Sequence, residues 1–251
     1  MKKLLAGTVF FLLALAGFLV ATLPARYALQ FLPANIPLQV HGADGTLWNG
    51  HAQQVVWDHY PIGEVSWKLH ALPLLLGRAN AYLTIKGQGI NAKGNVTAYR
   101  DQTLELDNAL VTADLTRLPL PRHLMATPGG NAIADIQHAT IQNRWPTTLD
   151  ARIDWKPARV LSPMELELGT ATLQVSGKDG KLDGELQSQG ALKATGKLSL
   201  TQNGAFSANI KITPTNKTPR ELRDMLPMVG RPDSKGTVTI RQSLQLGGFP
   251  L

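Results

Sequence analysis

The chain has 251 residues, a net charge of +7 at neutral pH and no cysteine, which excludes a disulfide framework, a thiolate metal site and a cysteine nucleophile. Hydrophobic residues make up 43% and charged residues 17%, a composition typical of a folded chain and not of a disordered one. Lysine and arginine are scattered with no run of five, and only 6% of residues are aromatic, so a nucleic-acid-binding protein is not expected.

The first predicted element is a membrane-spanning helix over residues 4–23, which carry no charge. Twenty helical residues span about 30 Å, the thickness of the hydrocarbon core of a bilayer. Pro24 ends the segment. A cleaved signal peptide is the alternative, with small residues at Ala14 and Ala16, although the apolar run is longer than such a peptide needs. The apolar surface of the predicted anchor includes Leu4, Val9, Phe10, Phe11, Leu13, Phe18 and Val20.

The charges on either side of this segment predict its orientation. Lys2 and Lys3 precede it, whereas Arg26 alone follows closely. The positive-inside rule therefore predicts a cytoplasmic tip at residues 1–3 and a domain of residues 24–251 on the other side of the membrane. No second apolar stretch approaches the length of the first.

Beyond the anchor, short segments alternate apolar and polar residues, for example residues 64–69, 81–86, 109–115 and 192–200. Alternation buries one face of a strand and leaves the other in water. Separations of 8–12 residues favour an antiparallel meander. The predicted fold class is therefore mainly β: a transmembrane helix, then an antiparallel, twisted or curved sheet with one or two short helices.

Turn and helix signals lie between these segments. Asp179-Gly180 and Asn203-Gly204 supply the positive φ angles of tight hairpins. Residues 71–77 form a short apolar turn. A capping box with Thr218 as N-cap and Glu221 three residues later predicts a helix that runs to about Met225 and stops before a proline.

A weak internal repeat is also present. A Trp-Lys strand, a connector and a strand ending in glycine occur at residues 65–87 and again at residues 153–177. The connectors differ in length, so chance similarity between β meanders explains the repeat as well as duplication does. Residues 119–130, rich in proline and glycine, predict a boundary between two halves, residues 36–127 and 131–251.

The sequence contains no pattern that indicates catalysis, a cofactor or a metal. None of the six histidines stands three or four residues from another. The acidic pairs Glu105/Asp107 and Glu165/Glu167 have the spacing of one strand face, and their polar surroundings favour a solvated surface over a carboxylate dyad. Nucleophile elbows and phosphate-binding loops are absent from the sequence. We therefore assign no catalytic, cofactor-binding or metal-binding residue.

The most distinctive stretch runs from residue 40 to residue 77. Its tryptophans recur about ten residues apart, one to a strand, and are expected to stack in the core of a curved sheet, with partner contact as the alternative. Glycines at the strand ends permit turns. The motif residues are Gly45, Thr46, Leu47, Trp48, Gly50, Trp57, Gly63, Val65, Trp67, Leu74, Leu75 and Gly77.

These motifs resemble those of the type II secretion system protein N family. The resemblance includes the anchor, the strands GTLWNG and IGEVSWKL, and the LLLG turn, and it extends to residues 222–230 and 236–240. It implies a single-pass subunit of a bacterial inner membrane, with its bulk in the periplasm. It further implies that the subunit takes part in the export of folded proteins across the outer membrane, without enzymatic activity. The partners expected from it are other secretion subunits and the inner membrane, with secreted cargo left open.

Two rival functions remain. The chain is distantly similar to long lipid-handling β proteins of the periplasm, and a sheet with an apolar inner face can hold acyl chains. An open apolar groove would favour such a carrier of lipid or another hydrophobic ligand, whereas a sealed inner face would favour the assembly subunit. A periplasmic hydrolase has no motif to support it.

Overall fold

The computed structural model describes residues 11–12, 14–15, 17–28, 37–58, 60–118, 127–162, 165–234 and 236–245. These residues form thirteen strands and short helices, which confirms the mainly β prediction. The chain divides into two compact units, Met1–Gly87 and Gln88–Leu251.

The first unit contains four strands, and each strand pairs antiparallel with the next one in the chain. The buried side chains of its sheet include Ala52 and Val55. Two β-bulges displace the register of the second strand against the third, between Ala52 and Val56. The elements are α1 (Ala25–Ala28), β1 (Leu38–Gly45), β2 (Asn49–Trp57), β3 (Tyr60–His70), α2 (Ala71–Leu75) and β4 (Arg78–Lys86).

The second unit contains nine strands in the same sequential antiparallel arrangement and one helix. The strands that flank the proline- and glycine-rich segment, β6 and β7, pair with each other. The elements are β5 (Ile90–Tyr99), β6 (Leu104–Asp114), β7 (Thr127–Gln142), β8 (Trp145–Ser162), β9 (Leu166–Lys178), β10 (Lys181–Gln189), β11 (Leu192–Thr201), β12 (Ala205–Pro214), α3 (Arg220–Val229) and β13 (Val238–Gln245).

In the second unit, alternation along the strands gives the sheet one apolar and one polar face, as the sequence predicts. The register places apolar residues in rows that run across β9 to β13, with glycines at some positions. One row consists of Leu173, Leu186, Gly196, Ile210 and Ile240, and its four large side chains are all half-buried. We call this surface the inner face.

The predicted hairpins after β9 and β11 are present. Asp179 and Gly180 both have positive φ, at 53° and 75°, and join β9 to β10 through a two-residue turn. Gly204, with φ of 87°, ends the turn between β11 and β12. Residues with positive φ match the right-handed twist of such hairpins, and glycine adopts these angles without steric cost.

The prediction for the helix near residue 220 is partly wrong. The hydroxyl of Thr218 does not cap α3. It accepts a hydrogen bond from Thr215 N at 2.7 Å and donates one to Ala191 O. The helix also continues through Pro227 to Val229. One turn of the helix separates the buried side chains of Leu222 and Leu226, and their burial favours continuation despite the lost hydrogen bond.

The described residues between 11 and 21 are helical, and the side chains of Phe11, Phe18 and Val20 are exposed. Among the described residues, no helix is both long and apolar enough to cross a membrane. Part of the predicted span, including Leu4, Val9, Phe10 and Leu13, lies outside the described residues.

Candidate functional site

The motif turn at residues 45–50 connects β1 to β2 and forms hydrogen bonds with the residues at the end of the N-terminal helix. Thr46 N donates to Asn49 O at 2.9 Å, and Asn49 N donates to Thr46 Oγ1 at 3.1 Å, so the turn closes on itself. Leu47 N donates to Leu23 O at 2.8 Å. The turn thereby supplies a donor to a backbone carbonyl just beyond the helix.

Two of the motif tryptophans act through their indole nitrogens. Trp48 Nε1 donates to Val20 O at 2.9 Å, and Trp67 Nε1 donates to Leu47 O at 3.1 Å. Val20 O also accepts from Leu23 N at 3.3 Å, so the Trp48 indole is a second, shorter hydrogen-bond donor to a carbonyl at the end of the helix. Trp67 in turn holds the backbone of the turn that carries Trp48.

Gly50 permits this arrangement because it leaves room for an aromatic ring. A Cβ atom at Gly50 would lie 2.5 Å from Cζ2 of Trp67 and 2.8 Å from Asp44 O. Gly63, with φ of 104°, occupies the other end of the paired strands. Gly45, with φ of 86°, ends β1 and begins the turn, an angle that glycine adopts without steric cost.

The expected core stack of three tryptophans does not form. The side chain of Trp57 is 47% exposed, so the prediction of a core position is wrong for this residue. Trp57 is the last residue of β2 and precedes Asp58, which has a positive φ of 44°. Strand pairing ends there, so the ring projects from the sheet.

The LLLG turn of the motif forms α2, in which no residue is buried. Leu72, Leu74, Leu75 and Leu76 are 77%, 36%, 84% and 73% exposed. Gly77 follows with φ of 76° and leads into β4. We call these four side chains the leucine turn. An apolar projection of this kind on a folded domain typically marks a contact surface.

Of the two acidic pairs in the second unit, Glu105 and Asp107 are half-buried, whereas Glu165 and Glu167 are exposed. Tyr99 donates its hydroxyl to Glu105 at 2.6 Å, and Asp107 pairs with His138 Nδ1 at 2.8 Å. Glu167 lies 3.6 Å from Arg159. No described group of histidine and carboxylate side chains has the arrangement of a metal site.

The pKa of the Asp154 carboxyl, on the polar face of the second unit, is shifted below its ordinary value. Arg152 donates Nε to Asp154 Oδ2 at 2.8 Å, and this hydrogen bond, followed by one from Thr172 at 2.6 Å, lowers the pKa of Asp154. The pair stabilises the fold above the ordinary aspartate pKa of 3.8, and that stabilisation is lost as the pH falls through the lower pKa of the folded state.

We expect Asp154→Asn to reduce the dependence of stability on pH below about pH 4, by less than about 1 kcal/mol because the pair is exposed. Urea unfolding at pH 7 and pH 3 measures this loss. Asp150→Asn on the same strand is the control, since that carboxylate accepts only a long hydrogen bond of 3.5 Å from Gln174. Equal acid sensitivity in the wild type and Asp154→Asn would contradict the assignment.

The last strand, β13, presents a regular edge. Just before the strand, Thr237 O accepts from Asp233 N at 2.9 Å, and Thr237 N donates to Asp233 Oδ1 at 2.8 Å, so both groups point away from β12. Backbone groups alternate sides along an antiparallel strand. Those of Arg241, Ser243 and Gln245 therefore point outward too, and no described strand pairs with them.

The two described edges differ in regularity. Strand β1 contains Gly42 with φ of 65° and ends at Gly45 with φ of 86°, and such distortions protect an edge against further pairing. Strand β13 has no glycine, proline or bulge. Beside it, Arg241 and Lys211 project from the polar face without a described acidic partner. The β13 edge is thus suited to an added strand that carries acidic residues.

Comparisons with known proteins show what the chain resembles. The family model described as type II secretion system (T2SS), protein N matches residues 37–241. The type II secretion system protein N of Vibrio cholerae serotype O1 is 29% identical over 98% of this chain and 100% of its own length. That of Aeromonas hydrophila is 28% identical over 96% and 98%, and that of Pectobacterium carotovorum is 25% identical over 91% and 92%. No solved structure matches significantly.

Sequence reasoning missed the residues that connect the helix to the sheet and those of the β13 edge. It identified Trp48 as part of a motif but not as a partner of Val20, which lies 28 residues away. It did not identify an edge of the sheet as a contact surface. The lack of glycine and proline in residues 238–245 was the available signal for β13.

Proposed function

The chain belongs to the type II secretion system protein N family, and from this we propose that it is a non-catalytic subunit of the type II secretion apparatus. In this role it takes part in the export of folded proteins from the periplasm across the outer membrane. The observation that carries the proposal is a match to the family over most of the chain, with relatives covered along nearly their whole length.

We further propose that residues 4–23 anchor the chain in the bacterial inner membrane. The tip, residues 1–3, then lies in the cytoplasm and residues 24–251 lie in the periplasm. The uncharged sequence and the Lys2/Lys3 pair support this topology. The exposed apolar side chains of the described helical residues, Phe11 and Phe18 among them, support it as well, because lipid would cover them.

The β13 edge is our candidate for the contact with another secretion subunit. A strand added to this edge would form main-chain hydrogen bonds with Arg241, Ser243 and Gln245. Acidic residues on its polar face would lie near Arg241 and Lys211, whose charges would otherwise remain unpaired. The partner we propose is therefore an extended segment that alternates acidic and apolar residues.

Photo-crosslinking in the native cell tests this role. We expect a probe at Ser243 to form adducts with secretion subunits, and Arg241→Glu to reduce their yield at least tenfold. A probe at Lys178, in the hairpin between β9 and β10, is the control and should give few adducts.

Ser243→Pro removes an outward N–H that β12 does not use, so it should block the contact and leave the sheet folded.

Two negative outcomes have different meanings. Adducts with secretion subunits at Lys178 but not at Ser243 would overturn the edge assignment and keep the subunit role. A chain that gives no adduct with any secretion subunit, from probes spread over both units, would overturn the subunit role itself.

The inner face of the second unit favours one alternative function, a periplasmic carrier of lipid or another hydrophobic ligand. One of its cross-strand rows is aliphatic apart from Gly196, and its side chains, Leu173, Leu186, Ile210 and Ile240, all remain partly exposed. Partly exposed aliphatic rows can receive acyl chains. Phospholipid adducts from a probe at Leu186, without protein adducts elsewhere, would favour the carrier over the assembly subunit.

A further inference from the structure

Among the described residues of the first unit outside the N-terminal helix, the leucine turn is the most exposed group of apolar side chains. In the sequence it is flanked by two exposed cations, Lys68 near the end of β3 and Arg78 at the start of β4. No residue of α2 is buried. A group of leucines that the fold leaves in solvent requires an apolar environment from outside the domain.

Hydrogen bonds place this turn at the same end of the sheet as the N-terminal helix. Trp48 Nε1 contacts Val20 O at 2.9 Å, and Leu69 N donates to Trp48 O at 2.8 Å. One residue, His70, separates Leu69 from α2. The leucine turn therefore begins, at Leu72, three residues after a backbone N–H that is bonded directly to Trp48, the tryptophan that contacts the helix end.

The position of Val20 in the helix indicates how deep the Trp48 contact would lie in the membrane. Val20 lies three residues before Leu23, the last residue of the apolar segment, which corresponds to about 4.5 Å of helix. In the proposed anchor, the Trp48 indole thus lies at the boundary between acyl chains and headgroups, where tryptophan is enriched. Arg26, 4.9 Å from the ring centre of Tyr27, follows just outside this boundary.

We propose that the leucine turn inserts into the periplasmic leaflet of the membrane as a second, shallow contact beside the anchoring helix. Lys68 and Arg78 then meet anionic headgroups on either side of it. This inference rests on the proposed membrane anchor. Its consequence is that the first unit lies against the bilayer in one orientation and does not swing freely on its helix.

Because the natural chain has no cysteine, Leu75→Cys provides a single thiol for a fluorophore that responds to polarity. The full-length chain is reconstituted in vesicles of phosphatidylethanolamine and phosphatidylglycerol that contain a lipid quencher near the headgroups. We expect a blue-shifted emission and at least a twofold quenching for this probe.

Tyr60→Cys is the matched control. It is 65% exposed and lies at the opposite end of β3, about 33 Å from α2 for ten residues of extended strand, so its probe should remain in water and unquenched. Replacing Leu72 and Leu76 by serine in the Leu75→Cys chain should remove most of the quenching.

Flotation with the vesicles separates failure of the anchor from failure of this inference. A chain that floats but whose Leu75 probe is quenched no more than the Tyr60 probe overturns the leucine-turn contact and leaves the anchor in place. A chain that does not float overturns the anchor, and the leucine-turn contact with it. Shielding of the Leu75 probe only after other secretion subunits are added would identify a protein interface and overturn the lipid contact.

Discussion

Gly130→Ala is expected to lower the free energy of unfolding of the second unit by at least about 3 kcal/mol. Gly130 has φ of 93°, and a Cβ atom built there would overlap the carbonyl oxygen of Pro157 on β8. Its own carbonyl accepts a hydrogen bond from Leu115 N at 2.9 Å, so the backbone cannot shift freely. Urea unfolding followed by circular dichroism measures the loss.

Gly180→Ala is the matched control for this prediction. Gly180 also has a positive φ, 75°, but the nearest atom to a Cβ there is Gln202 Oε1 at 3.8 Å. It should therefore show only the cost of the backbone angle, about 1 kcal/mol. Equal losses in the two variants would mean that the backbone angle accounts for the effect and that the overlap with Pro157 relaxes.

Thr218→Val is expected to destabilise the second unit by about 2 kcal/mol, because valine keeps the volume and removes the hydroxyl. The Thr218 hydroxyl accepts from Thr215 N at 2.7 Å and donates to Ala191 O, and the Thr218 side chain is buried. Thr215 N would lose this acceptor, whereas Ala191 O would keep the hydrogen bond that it accepts from Thr215 Oγ1 at 3.0 Å. The midpoint of urea unfolding measures the change.

Thr218→Ser separates the hydrogen bonds from the helix cap that the sequence predicts. Serine keeps the hydroxyl, so we expect most of the stability to return, with a small loss for the missing methyl group. Helix content should stay unchanged in Thr218→Val, because this side chain does not cap α3. A loss of helical signal that matches the loss of stability would restore the capping interpretation.

The strands and their faces could be predicted because the residues that determine them are neighbours in the sequence. Alternation in residues 192–200 determines which side chains share a face, and Asp179-Gly180 determines where the chain reverses. Neither inference requires knowledge of a distant residue. The same locality explains why the predicted and observed strands differ mainly in their ends.

The candidate site depends on distant contacts that no local pattern contains. Trp48 meets Val20 from 28 positions away, and Thr218 meets Ala191 from 27. The capping-box pattern at Thr218 was therefore outweighed by a tertiary hydrogen bond. The end of α3 was misplaced for a similar reason, since burial of Leu226 favours helix where Pro227 predicts a stop.

Two tryptophans of the predicted repeat have equivalent roles. Trp67 donates its indole N–H to Leu47 O at 3.1 Å, and Trp155 donates to Gly129 O at 2.8 Å. In each case the acceptor is a backbone carbonyl more than 15 residues earlier in the chain. This similarity fits duplication, but the same demand for a buried indole partner would produce it in unrelated strands.

The sequential pairing of strands has a consequence for how the chain acquires its structure. Within each unit, every strand pairs with its neighbours in sequence, so most pairings close a short loop at low entropic cost; the connection between β12 and β13 is longer and contains α3. A chain that enters its compartment from the N-terminal end can therefore pair β1 with β2 before β13 has emerged. Growth would proceed one strand at a time, with the newest strand always an exposed edge, and β13 would be the last described strand to join.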